Sequence, residues 1–137
     1  MLFRSLGADH PNTLSTRNNL ATAYQDVGRI AEAITLHEQN LADRERALGT
    51  DHPNTMTTRG NLATAYQAVG RVGEAITLHE QNLADRERVL GVDHPDTLQT
   101  RGNLASAYQA VGRVAEAIPL LGQPSRDQES DREPSDP

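Results

Sequence analysis

Residues 51–91 read DHPNTMTTRGNLATAYQAVGRVGEAITLHEQNLADRERVLG, and nearly the same stretch begins at Asp9 and again at Asp93. His10, His52 and His94 lie 42 residues apart, as do Tyr24, Tyr66 and Tyr108, and Gly28, Gly70 and Gly112. Residues 7–48 and 49–90 differ at only eight positions (8, 14, 15, 18, 26, 30, 31 and 47, against partners 42 later). A fixed period of roughly 20–50 residues marks a stacked array, in which each unit buries its apolar face against its neighbours.

Two helices fill each period. Asp9 reads as an N-cap, with Pro11 in the first turn, where its missing N–H costs nothing. Leu14, Ala21 and Tyr24 recur near helical spacing, and Leu20 and Ala23 widen the apolar side. A first helix over 11–26 follows, stopped by Gly28, which takes positive φ without strain. The second helix, 30–48, carries Ile30, Ala33, Ile34, Leu36 or His37, Leu41 and Leu48 on one stripe, and Gly49 ends it. Strand signals are absent, so the expectation is an all-α fold, an α-solenoid of antiparallel helix pairs.

The third unit departs after AEAI at 115–118. Pro119 stands where Thr35 and Thr77 stood, and proline inside a helix costs about 3 kcal/mol or more. The third second helix is therefore expected to kink or stop near 118–121. From this come the expected divisions: 1–6 the remnant of a preceding helix, 7–48 the first unit, 49–90 the second, and 91–121 a truncated third. Residues 122–137 are polar and rich in Pro, Ser, Asp and Glu, which predicts a disordered acidic tail.

Composition narrows the function classes. Only 36% of the 137 residues are hydrophobic and 3% aromatic, thin for a closed globule and tolerable in an array. The net charge is −6, and all 13 basic residues are arginine. An acidic balance argues against nucleic acid as a partner. No run reaches the ~20 apolar residues of a membrane span, and MLFRSLGADHP is too short and polar for a secretory signal. The expected location is the cytoplasm. With no cysteine, disulfides and thiolate metal sites are excluded.

NLATAYQDVGRIAEAI at 19–34, with copies at 61–76 and 103–118, resembles the tetratricopeptide repeat. The match lies in Leu20, Ala21, Tyr24, Gly28 and Ala33, and in their equivalents through Leu62, Ala63, Tyr66, Gly70 and Ala75 to Leu104, Ala105, Tyr108, Gly112 and Ala117. The 42-residue period and the Gly-x-Asp-His-Pro opening look like the kinesin-light-chain type of that repeat. The resemblance implies a right-handed superhelix that presents its first helices on a concave face. It departs from the family pattern at His37, His79, Asn40 and Asn82, and at Arg17, Arg59 and Arg101, which together imply a polar layer between helices.

Catalytic and metal chemistry finds little support. Asp9-His10, Asp51-His52 and Asp93-His94 are better read as helix starts than as acid–base or metal sites, since equivalent positions on stacked helices lie about 10 Å or more apart. His37-Glu38 and His79-Glu80 begin the HExxH zinc signature, but Leu41 and Leu83 occupy the place of its second histidine. Each histidine is expected to be half-buried and bonded to a neighbour. Arg17, Arg59 and Arg101 are expected to neutralise second-helix acids such as Asp43 or Glu45 and Asp85 or Glu87. No phosphate loop, nucleophile–base pair or catalytic carboxylate pair is found; neither catalysis nor a cofactor is expected.

The alignment implied by the resemblance puts Ser15, Asn18, Thr22, Gln25 and Asp26 on the concave face, with Asn19 at its edge. The same positions are Thr57, Gly60, Asn61, Thr64, Gln67 and Ala68 in the second unit, and Gln99, Gly102, Asn103, Ser106, Gln109 and Ala110 in the third. Such a neutral surface of amides and hydroxyls suits an extended peptide backbone. The expected function is a non-catalytic scaffold that binds a peptide or protein segment there. Two alternatives stand beside it: a self-assembling module built by end-to-end stacking or helix exchange, and a fragment of the sensor array of a larger signalling ATPase.

Overall fold

The computed structural model describes residues 10–122, which form α1 (Pro11–Asp26), α2 (Ile30–Leu48), α3 (Pro53–Ala68), α4 (Val72–Leu90), α5 (Pro95–Ala110) and α6 (Val114–Gly122). Each helix packs on its neighbours in sequence, and among the described residues there is no strand. The architecture is an all-α solenoid of helix pairs, two full and a third shortened. No described helix is long and apolar enough to cross a membrane. The expectations for 1–6 and for a disordered tail beyond Gly122 lie outside the described residues.

The cap is the residue after the expected one. His10, His52 and His94 are the N-caps, each accepting at Nδ1 from the backbone N–H two residues on, at 3.0–3.1 Å. The reason is steric. A proline at the first helical position pushes the residue before it into extended conformation, and His52 at ψ 139° is the half-in flanking residue. Asp51 is released for a two-pronged ion pair with Arg88, at 2.7 and 3.0 Å, from the end of α4.

At the other end, Gly28 adopts φ +83°. Its N–H donates to the Gln25 carbonyl at 3.0 Å and the Arg29 N–H to the Tyr24 carbonyl at 2.8 Å, the paired bonds of a Schellman stop. The chain reverses tightly here, and each pair of helices becomes antiparallel.

Alanine lets the pairs close. Ala21 and Ala33, Ala63 and Ala75, and Ala105 and Ala117 are fully buried. Larger side chains fill the seams between pairs: Ile34 with Leu62, Ala65 and Tyr66, then Ile76 and Leu83 with Leu104, Ala107 and Tyr108. In the first unit Leu20 stays 39% exposed while its equivalent Leu62 is 3% exposed, because α3 packs on a preceding helix.

A polar layer runs through the two full pairs, as expected, and it is more deeply buried than the sequence suggested. Asn40 donates to the Leu14 carbonyl and Asn82 to the Met56 carbonyl, both at 3.0 Å. Arg17 reaches Asp43 at 2.6 Å and Arg59 reaches Asp85 at 2.9 Å, while Arg101 lies 3.7 Å from Glu87. His37 and His79, expected to be half-buried, are fully buried, since each faces the first helix of its own unit. His37 Nε2 pairs with Gln25 Oε1 at 3.0 Å, whereas His79 Nε2 is buried without a partner.

Between units, Arg44 donates to Thr58 Oγ1 at 2.6 Å and Arg86 to Thr100 Oγ1 at 2.7 Å. Tyr66 donates to Glu38 and Tyr108 to Glu80, each at 2.5 Å. Pro119 sits inside α6, which runs on to Gly122, so the helix includes the residue where the tail was expected to begin. One lost backbone bond does not end a helix whose Ala117 remains packed in the core.

Candidate functional site

The side chains proposed for recognition rise from α1, α3 and α5, the first helix of each pair. α3 and α5 touch directly, and Gln67 Nε2 donates to Ser106 Oγ across the gap at 3.5 Å. Around that bridge opens a hollow of about 340 Å³ lined by Thr64, Gln67, Ala68, Asn103 and Ser106. Four of these are expected recognition residues, and the fifth, Ala68, belongs to the same expected face. None carries a charge.

Local chemistry limits what each can offer. Thr64 Oγ1 donates back to the Gly60 carbonyl at 3.0 Å, and Thr22 Oγ1 to the Asn18 carbonyl at 3.1 Å, so both hydroxyls face the surface as acceptors. The polar inventory of the hollow is then the amides of Gln67 and Asn103, the hydroxyl of Ser106 bridged by Gln67, and the accepting oxygen of Thr64. Amides supply donors and acceptors together, the combination that an extended backbone needs.

The other expected positions are placed differently. Asn19, Thr22 and Gln109 are exposed on α1 and α5 and do not line this hollow. Gln25 is turned inward to His37. A Cβ at Gly60 would lie 3.4 Å from Asn82 Nδ2, and Asn18 Oδ1 is buried without a hydrogen bond, so this position faces the neighbouring second helix. Asn61 is half-buried at the edge.

A second hollow, about 420 Å³, was not anticipated. It lies between α2 and α4 over α3, floored by Leu41, Leu62, Leu78 and Tyr66 and edged by Glu38, Glu45 and Glu74. The signal was present in the sequence, since Leu41 and Leu78 lie on the second-helix stripes, but only the stacking of two units makes them share a wall. Here Tyr66 is closed off by Glu38, and burial followed by that bond pushes its phenol up to about 12. Arg71 lies 4.3 Å over the Tyr66 ring and clamps Glu74 with two bonds at 2.6–2.7 Å, which holds that carboxyl below its usual range. At this edge Glu38 is thus paired with Tyr66 and Glu74 with Arg71. Among the described residues no cluster of His, Asp or Glu is arranged to hold a metal ion.

A family model described as Tetratricopeptide repeat matches residues 13–81 and 57–123. Among solved structures, the chain is similar to the nearly identical TPR-like repeats of a Podosopora anserina protein assigned as a kinesin light chain, with 39% identity and a TM-score of 0.86. That match covers 98% of this chain and 64% of the other, so the chain spans less than two thirds of that array. A variant of the same array matches with 39% identity over 87% of this chain and 56% of its own, at a TM-score of 0.79. BtubC (BKLC) from P. vanneervenii shares the fold, with 23% identity, 95% of this chain and 52% of that one covered, and a TM-score of 0.81. No curated protein sequence matches.

Proposed function

The chain belongs to the tetratricopeptide repeat family, in its 42-residue kinesin-light-chain-like form, and from that premise we propose that it is a non-catalytic scaffold binding an extended peptide along its first helices. The observation that carries this reading is the uncharged hollow between α3 and α5, with Gln67, Asn103 and Ser106 at hydrogen-bonding positions around it. Family membership supplies the general role, since such repeats are interaction modules. The amide and hydroxyl lining supplies the ligand class: a peptide held mainly by its backbone, without a required charge. The larger hollow between α2 and α4 is less suited to it, because its tyrosine and two of its glutamates are engaged within the molecule.

Selection of displayed random peptides on the intact chain, followed by fluorescence anisotropy of the selected sequences, tests the assignment. Gln67→Ala combined with Asn103→Ala should weaken binding tenfold or more, a loss of about 1.4 kcal/mol. Unchanged affinity in that double variant removes the first-helix face as the site. Loss of binding in Leu41→Asp instead would move the site to the hollow between α2 and α4.

A further inference from the structure

We propose that the chain associates end to end, the α6 face of one molecule receiving the α1 face of the next in the register that joins successive helix pairs within the molecule. Inside the molecule each second helix lays an isoleucine beneath the following first helix. Ile34 is 5% exposed under α3, and Ile76 is 5% exposed under α5. α6 carries the same stripe, with Val114 and Ile118 at the positions of Val72 and Ile76, and Ile118 is 61% exposed. α1 presents the opposite half. Its NLATAY at 19–24 is identical to residues 61–66 of α3, yet Leu20 is 39% exposed where Leu62 is 3%.

The α1 face and the Val114–Ile118 stretch of α6 are therefore copies of surfaces that already fit each other twice in this molecule. The internal seams between α2 and α3 and between α4 and α5 are the established interface, and the proposed contact continues it by one more period. Thr16 on α1 corresponds to Thr58, and Ala23 to the fully buried Ala65, so the incoming helix brings the small residues that let helices approach closely. The contact is weaker than the internal ones for identifiable reasons. α6 is nine residues long against nineteen for α4, and Gly122 stands where Glu38 and Glu80 accept the tyrosine hydroxyl. A head-to-tail contact uses different faces on its two partners, so it propagates instead of closing as a symmetric dimer does. This inference is independent of the peptide-binding reading.

Sedimentation equilibrium of the 137-residue chain tests it. Weight-average mass is expected to rise about twofold or more between about 10 µM and about 1 mM, the behaviour of a small interface, without levelling at the dimer. Ile118→Asp and Leu20→Asp should each remain monomeric, with circular dichroism verifying that they stay folded, and Val114→Arg serving as a second α6 variant. Mixed in equal amounts, Ile118→Asp and Leu20→Asp should form one dimer and stop there, because each keeps one intact face. A wild-type chain that stays monomeric throughout overturns the proposal and points to cover by its own residues 1–9 or 123–137. Growth that persists in either single variant, or a mixture that fails to pair, overturns it as well.

Discussion

The guanidinium of Arg59, fully buried, crosses from α3 to α4 and donates to Asp85 Oδ2 at 2.9 Å. The same side chain donates to Asn82 Oδ1 at 3.1 Å and to the Thr50 carbonyl at 3.2 Å. Helix pair, preceding turn and polar layer thus converge on one cation. Its equivalent Arg101 lies 3.7 Å from Glu87, whose side chain is 39% exposed, and donates to the Val92 carbonyl at 3.5 Å, both longer than the contacts of Arg59.

Removing the better-held arginine should cost more. Arg59→Ala breaks a buried pair from one side and is expected to lower stability by about 3–5 kcal/mol, and Arg101→Ala by clearly less. Arg59→Met, which keeps the volume without the charge, should recover part of the loss. Urea unfolding monitored by circular dichroism measures all three, and equal losses at 59 and 101 would contradict the assigned role.

Acid should destabilise the fold through two buried histidines. Burial holds His37 below the ordinary value of 6.5, and burial with a contribution from Arg86 does the same for His79. Unfolded histidines take up protons that the folded ones refuse, so this stability is full above about pH 6.5 and is lost as pH falls below it. His79→Leu removes an imidazole whose Nε2 lacks a partner and should make the decline of Tm with falling pH shallower. An unchanged slope in that variant would count against the mechanism.

The helix starts can be tested at one position. His52→Ala deletes the acceptor for the Asn54 N–H and is expected to cost about 1 kcal/mol, whereas His52→Asp should restore most of it. Hydrogen exchange at Asn54 and the first turn of α3 localises the effect. Equal stability of the Ala and Asp variants would show that the proline alone starts the helix.

Tyr66 ties neighbouring pairs together through Glu38. Tyr66→Phe should cost about 1 kcal/mol or slightly more, the range for a hydrogen bond to a charged acceptor at a part-buried site. The phenol, pushed up to about 12 from 10.0, keeps its proton in the folded chain where the unfolded chain loses it. Stability should therefore fall as pH rises above about 10, and less steeply in Tyr66→Phe than in the wild type. Thermal melts across that alkaline range decide it.

The helix bounds were legible because their signals are local. Pro11 and Gly28 enclose α1, and Gly28 and Gly49 enclose α2, each acting through backbone sterics that need no knowledge of the rest of the chain. The cap was misread by one residue for a reason that was also local: a first-position proline makes its predecessor the cap. The pairing of Arg17 with Asp43 and Arg59 with Asp85 was legible in kind, since a buried guanidinium requires a carboxylate.

Recognition positions were harder to read. The repeat alignment makes positions 18 and 60, 22 and 64, and 25 and 67 equivalent, but packing does not treat them alike. Gln25 turns inward to His37, while Gln67 reaches across to Ser106 on the next unit. The second unit carries the equivalent histidine, His79, yet Gln67 bonds across to α5 and His79 Nε2 is left without a partner, a choice between identical local options that the repeat itself does not make.

By itself, then, the sequence determined the helices, their antiparallel pairing and the solenoid, because a 42-residue period with paired stops leaves an amphipathic helix no other way to bury its stripe. Only the tertiary structure decided which copies of identical residues are buried and which are open. Leu62 and Ile76 are sealed, and Leu20 and Ile118 are not, since burial in a stacked array depends on whether a neighbour stands on that side.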